Sequence, residues 1–340
     1  MFLLQSATAA FTPTFHATIP DILPVEDRYT RALSLSRLAH DLENIISPML
    51  AASLLTFLSY HMLFVGTVIG FVGSALLVVS VLLPSPKPTA PRGIYDRTTR
   101  GMRIYLATPR LRGLLSLNLA AAAAGAMVLV NTVVLVRSNL GLGDAQVAVA
   151  LGAFGGGSML AALLLPRLLD NRPDRPVMIG GAVVLVVALL CLSLMSLIYD
   201  TQWLPLLAGW LIIGIGYSVV LTPSGRLLKR SAHAEDRPAV FAAQFALSHA
   251  CWLVTYPLAG WLITVAGPTT AFAALALLAA LGMVSGIVLW TRDDSGTVEH
   301  THDDLPEDHP HVQDGRSHSH PIVIDDYHQH WPRLTDTIAR

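Results

Sequence analysis

Apolar runs separated by short polar connections dominate this chain. They lie near 61–83, 113–136, 145–166, 177–199, 203–225, 239–265 and 269–291. A helix rises about 1.5 Å per residue and the hydrocarbon core of a bilayer is about 30 Å thick, so roughly 20 apolar residues span it. All seven runs meet that length and predict transmembrane helices. An eighth, near 31–58, is long enough but interrupted by charge, and the apolar stretch 1–19 reads as the end of a further span. Residues 1–19 have neither the basic start nor the small-residue cleavage site of a signal peptide.

Composition points the same way. Hydrophobic residues make up 53% of the 340 residues and charged residues 13%, with mean hydropathy +0.56. Ordinary soluble domains carry about 25% charge. The expected fold class is therefore an all-α integral membrane protein, with the lipid bilayer as a partner. Cys191 and Cys251 both fall inside apolar runs, which argues against disulfide or metal chemistry there. No Gly-rich phosphate loop ending in Lys-Ser/Thr occurs in the sequence. Neither catalysis nor a resident cofactor is expected.

The 22 Lys and Arg residues are unevenly placed. Lys87, Arg92, Arg97, Arg100, Arg103, Arg110 and Arg112 crowd the 84–112 connection. Arg167, Arg172 and Arg175 follow, then Arg226, Lys229, Arg230 and Arg237, then Arg292 onward, at every second connection. The positive-inside rule puts these loops and the C-terminal tail in the cytoplasm, as expected of a multi-pass protein of the inner (cell) membrane. The 84–112 segment, opening Pro84-Ser85-Pro86-Lys87-Pro88, reads as a cytoplasmic basic linker between two halves. Its charge suits anionic lipid, and nucleic acid is not an expected partner.

The chain also repeats itself. Glu26-Asp27-Arg28, His40 and Pro48 recur as Glu235-Asp236-Arg237, His249 and Pro257, an offset of 209 residues. Thr12-Pro13-Thr14 recurs as Thr222-Pro223-Ser224 with the offset slipped by one. An internal parallel repeat among apolar runs marks transporters built from two similar helical halves.

Two halves, a long basic central loop and cytoplasmic ends make residues 1–292 resemble the major facilitator superfamily of secondary transporters. Two motifs of that family appear in diluted form. Ser47-Pro48-Met49-Leu50-Ala51-Ala52 stands in place of Gly-Pro-x-x-Gly-Gly, and the 166–175 loop keeps Leu168, Asp170 and Arg175 of Gly-x-Leu-x-Asp-Arg-x-Gly-Arg-Arg. The resemblance implies a bundle of two pseudo-symmetric halves of six spans each, with Asp170 and Arg175 in a gating loop. Residues 113–291 supply six spans of the second half, and 1–83 correspond to the end of span 4 with spans 5 and 6. Moving 113 back by the repeat offset lands at −96, so about 97 residues and three spans of the first half are expected to be absent.

Polar residues inside spans are costly and mark candidate pathways. At 100° per residue, Arg37, Asp41, Asn44 and Pro48 share one stripe of the 31–58 span, with His40 at its edge and Arg37 and Asp41 as an i,i+4 pair. Asp41 or Glu43 is a candidate proton carrier and His40 a group titrating near neutrality. The alternative places Arg37 to Asp41 at the membrane interface as gating or anchoring charges. Gln244, Ser248 and His249 occupy the matching span, and Asn118, Asn131, Tyr217 and Ser218 are further lining candidates. Gly152, Gly155, Gly156 and Gly157 predict close helix packing or a hinge.

Residues 292–340 form an acidic tail carrying four His-x-His pairs: His300/His302, His309/His311, His318/His320 and His328/His330. Imidazole with carboxylate suits Zn²⁺, Ni²⁺, Co²⁺ or Cu²⁺, and the composition predicts disorder with weak chelation. The tail resembles those of nickel- and cobalt-resistance exporters of the same superfamily. The expected function is a secondary transporter, an exporter of a small solute or divalent metal ion working by alternating access, with proton coupling through the charged span. The alternative is a non-transporting membrane remnant with a metal-binding or regulatory tail.

Overall fold

The computed structural model describes the backbone of residues 2–55, 57–81, 93–170, 172–291, 297–301, 317–326, 328 and 331, and their side chains except at 2–10, 44–49, 51–53, 94, 97, 297–301 and 317–321. The helices in chain order are α1 (Phe2–Ile22), α2 (Glu26–Leu55), α3 (Tyr60–Ser80), α4 (Ile94–Ala107), α5 (Pro109–Val133), α6 (Asp144–Leu169), α7 (Asp174–Tyr199), α8 (Trp203–Leu221), α9 (Ser224–Arg230) and α10 (Arg237–Leu289). A π-helical turn, Val134–Asn139, prolongs α5. Six helical stretches are long and apolar enough to cross a membrane. The last is two spans in one, because Gly267 leaves the helical path at φ 78° just before Pro268. Glycine takes that backbone angle without a Cβ clash, so the break falls between the two apolar runs read from the sequence.

Helix α5 runs through the core of the second half, packed chiefly on α10 and also on α7 and α8. Its alanine run, Ala120–Ala124, is fully buried and lets neighbouring backbones approach. Lipid tails are as apolar as leucine, so association between spans depends on such small-residue contacts. The α6–α8 crossing is the clearest case. A Cβ at Gly157 would lie 2.0 Å from the Leu211 carbonyl oxygen, and one at Gly214 would lie 2.0 Å from that of Phe154. The glycine cluster of α6 thus divides: Gly157 packs, whereas Gly152 and Gly156 face open space.

Helices α1, α2 and α3 precede the 84–112 segment and are termed the first half. Helix α2 lies along α6, whereas α3 has no buried residue and touches chiefly α2.

Two segments differ from the sequence expectation. The 84–112 linker contains α4, an amphipathic helix whose Arg100, Gly101, Ile104 and Tyr105 are buried against α10 while Tyr95, Arg103 and Leu106 are exposed. Gly101 sits so close to Ala239 that a Cβ would fall 2.0 Å from its carbonyl oxygen. The i, i+4 recurrence of these positions was hidden by the arginines that dominate the segment. In the tail, Thr297–Thr301 (β1) pairs antiparallel with Ser317–Pro321 (β2), with His300 opposite His318. Ile322 and Ile324 beyond it are buried, so part of the tail is more ordered than its composition implies.

Candidate functional site

The charged stripe of α2 faces the second half. Arg37 Nη2 lies 3.1 Å from Asp41 Oδ1, and Asp41 is 4% exposed. The guanidinium also donates from Nε to Ser158 Oγ on α6 at 3.3 Å and stands 4.7 Å over the Tyr217 ring of α8. One turn of α2 therefore brings a cation to a hydroxyl of α6 and an aromatic face of α8 while Asp41 of the same helix supplies a carboxylate. Each partner offsets part of the cost of moving the charge out of water. Asp41 Oδ2 makes no hydrogen bond among the described residues.

Two cavities share Arg37 and His40. One of about 780 Å³ is lined by Arg37, His40 and Asp41 of α2 and by His249, together with the aromatic rings of Phe154, Tyr217, Trp252 and Tyr256. It also touches Asp144 at the start of α6, so it reaches the end of the bundle opposite the basic loops. The other, about 390 Å³, is lined by Thr12, Pro13, His16, Arg37 and His40 from the first half and by Thr222, Ser224, Gln244 and Ser248 from the second. Both copies of the Thr-Pro repeat thus meet on one space, and the repeat-related His40 and His249 share the other. Gly125 gives the Trp252 ring its seat, since a Cβ there would come within 2.6 Å of the indole.

The other residues singled out from the sequence are placed unequally. Gln244 accepts a hydrogen bond from the Tyr105 hydroxyl of α4. His249 Nδ1–H donates to the Phe245 carbonyl at 2.7 Å, and its ring lies 4.0 Å from that of Phe245. Glu43 is exposed and lines neither cavity. The Asn44 side chain lies outside the described residues, as do His302, His309, His311 and His330 and the side chains of His300, His318 and His320. Among the described residues no group of three His, Cys, Asp or Glu side chains is placed to hold a metal ion.

At the basic end, ion pairs and hydrogen bonds tie α1 and α2 to α9 and α10. Arg237 donates to Asp21 at 2.5 Å, Arg226 meets Glu26 at 2.7 Å and donates to Thr30 Oγ1 at 2.9 Å, and Lys229 donates to the Pro24 carbonyl at 2.7 Å. Buried Asp174 steadies the second-half side of this seam by pairing with Arg226 at 3.1 Å and with Arg230. Asp170 is exposed at the end of α6, and Arg175 instead donates to the Trp290 and Ile287 carbonyls at the end of α10. A cation at a helix C-terminus satisfies carbonyls the helix leaves unpaired. Asp174, four residues beyond Asp170, is one of the carboxylates engaged at this end, with Asp21 and Glu26; its place at the first turn of a span was the available signal.

The described part of the tail docks beside the same end. Arg100 donates from Nε and Nη2 to the two carboxylate oxygens of Asp236, at 2.5 and 2.8 Å, and from Nη1 to Asp326 at 2.6 Å. Asp325 lies between His233, 3.3 Å away, and His328, 3.0 Å away. Burial works to raise the Asp325 carboxyl, yet its hydrogen bonds with the two imidazoles hold it well below the usual carboxylate range. The same contact with Asp325 raises His233 above its ordinary value against the opposing effect of burial.

Apolar spans, an aromatic-lined cavity between two helical groups and a charged seam at one end define a multi-pass membrane transporter. The sequence profile of the Major Facilitator Superfamily matches residues 114–324, and the chain belongs to that superfamily of secondary transporters. No curated protein matches the chain.

Proposed function

We propose that this protein exports a small organic solute across the cell membrane in exchange for protons, with its basic end in the cytoplasm. The observation that carries the reading is the 780 Å³ cavity, lined by four aromatic rings together with the Arg37–Asp41 pair. Aromatic faces suit a ring-bearing solute better than a hydrated ion. A carboxylate held by one arginine next to that space has two states, ion-paired when ionised and released when protonated, which is what coupling requires. The ionised, paired state accompanies a sealed basic end and a cavity reaching the opposite end. Orientation follows from the positive charge at the α6–α7 and α8–α10 connections.

The test is solute-driven proton movement in proteoliposomes carrying a trapped pH dye. Benzamide, benzoate, benzylamine and Ni²⁺ are applied in turn. The reading expects an organic probe to move protons through the wild-type protein and not through Asp41→Asn. A signal from Ni²⁺ alone, or one unaffected by D41N, contradicts it.

One further feature favours a second role, metal binding by the tail. The β1–β2 register sets His300 opposite His318, two residues from His320. Isothermal titration of the full chain with Zn²⁺ and Ni²⁺ tests this. Equal uptake by the wild type and a His300→Ala/His318→Ala variant removes it.

A further inference from the structure

A third cavity, about 190 Å³, opens where α5, α9 and α10 meet, lined by Asn118, Ser224, Gln244, Ser248 and Trp252 among others. It shares Ser224, Gln244 and Ser248 with the 390 Å³ cavity and Trp252 with the largest, so it is a recess of the same pathway. None of its lining residues is ionisable. Asn118 is 3% exposed, and among the described residues neither its Oδ1 nor its Nδ2 has a hydrogen-bond partner; Ser224 Oγ has none either. Buried carboxamides are nearly always bonded, and leaving both ends unmet destabilises a fold. Water filling the recess meets these groups only until something better matched displaces it.

The hydrogen-bonding inventory specifies the match. Gln244 Oε1 is taken by the Tyr105 hydroxyl, which leaves its NH₂ to donate. Ser248 donates to the Phe245 carbonyl, which leaves its lone pairs to accept. Asn118 offers a donor and an acceptor side by side, and Ser224 either. A carboxylate would face the lone pairs of Asn118 and Ser248, and an ammonium group would face two NH₂ groups. A neutral group with a carbonyl beside an N–H satisfies all of them.

The geometry points to a neutral-amide subsite: Asn118, with Gln244, Ser224 and Ser248, binds the uncharged carboxamide or lactam edge of the transported solute while its ring lies toward Trp252. This rests on the transport reading above and adds the chemical class of the solute.

The experiment titrates the purified full-length chain in detergent with benzamide, and with benzoate and benzylamine as charged counterparts. Benzamide is expected to bind at least about tenfold more tightly than either. Asn118→Leu keeps the shape and removes both polar ends, so it should weaken benzamide by about tenfold while the melting temperature holds or rises. Absence of benzamide binding, equal binding of the charged probes, or full binding by N118L overturns the proposal. Should N118L melt lower, Ser224→Ala decides instead, because it removes an unbonded hydroxyl: an undiminished affinity for benzamide there overturns the proposal, and about a threefold loss sustains it. Benzamide bound in this Asn118-dependent way but never carried across proteoliposomes refutes the transport reading and leaves the subsite standing. Benzamide carried equally by wild type and N118L refutes the subsite alone.

Discussion

The two walls of the central pathway are built on opposite principles although the sequence repeats between them. On α2, Arg37 and Asp41 form a buried ion pair. At the matching positions of α10 stand Ala246 and Ala250, and the polar groups there are the neutral Gln244 and Ser248. Only the histidines correspond, His40 with His249. On the reading proposed above the contrast teaches a division of labour: the Arg37–Asp41 wall carries the charge that coupling needs, whereas Gln244 and Ser248 offer uncharged hydrogen-bonding groups suited to recognising a solute.

Removing one partner of the ion pair tests the contrast most severely. Arg37→Leu leaves Asp41 buried and uncompensated, which should cost about 3–5 kcal/mol in a denaturation experiment. The double variant Arg37→Leu/Asp41→Leu should recover most of that. His249→Ala, on the opposite wall, should stay within about 0.5 kcal/mol, because its ring is exposed and bonded to its own helix. Comparable losses on both walls would erase the distinction.

Gly125→Ala sharpens the comparison at intermediate size. Its new methyl must push the Trp252 indole toward the cavity, a case of overpacking at about 1–3 kcal/mol when neighbours cannot give and less where a ring can turn. Quenching of Trp252 fluorescence by benzamide should change, while the Arg37–Asp41 pair should be unaffected.

The smallest effect lies outside the membrane. His233 is raised by Asp325, so its contribution to tail docking is complete below its ordinary 6.5 and is lost as pH climbs through the higher value. Asp325 is depressed, so its contribution is present above 3.8 and lost only as pH falls toward the lower value. Docking should be tightest between those limits and loosen above neutrality. The half-exposed His233–Asp325 pair is worth roughly 0.2–1 kcal/mol. Protection factors at 322–326, from which the intrinsic rise of amide exchange with pH is removed, should be lower at pH 8 than at pH 6 in the wild type and equal at the two pH values in His233→Ala.

Much of this organisation was legible in the sequence for identifiable reasons. Span positions were, because the bilayer imposes a length on every apolar run and Gly267 breaks α10 where the runs break. The α2 stripe was, because charge in an apolar helix must face a partner. What escaped were properties of pairs far apart in the chain. Nothing local to Ser158 announces that Arg37 reaches it, nor does anything local to Asn118 announce that its carboxamide is left unbonded. The family motif marks Asp170 and is silent on Asp174, whose pairing with Arg226 and Arg230 of α9 depends on residues more than 50 positions away. Helix α4 was read as linker because its buried face is written partly in Arg100, an amphipathic pattern that a hydrophobic count misses.

The central claim is that the protonation state of Asp41 governs whether the basic end is open. Spin labels at Arg31 and Glu235, both exposed near that end and on opposite halves, report it directly in a Cys191→Ala/Cys251→Ala background. Double electron–electron resonance should give a short separation in the wild type and a longer one in Asp41→Asn, the neutral mimic of the protonated carboxyl. A single distance, the same in the wild type and in D41N, would contradict the account.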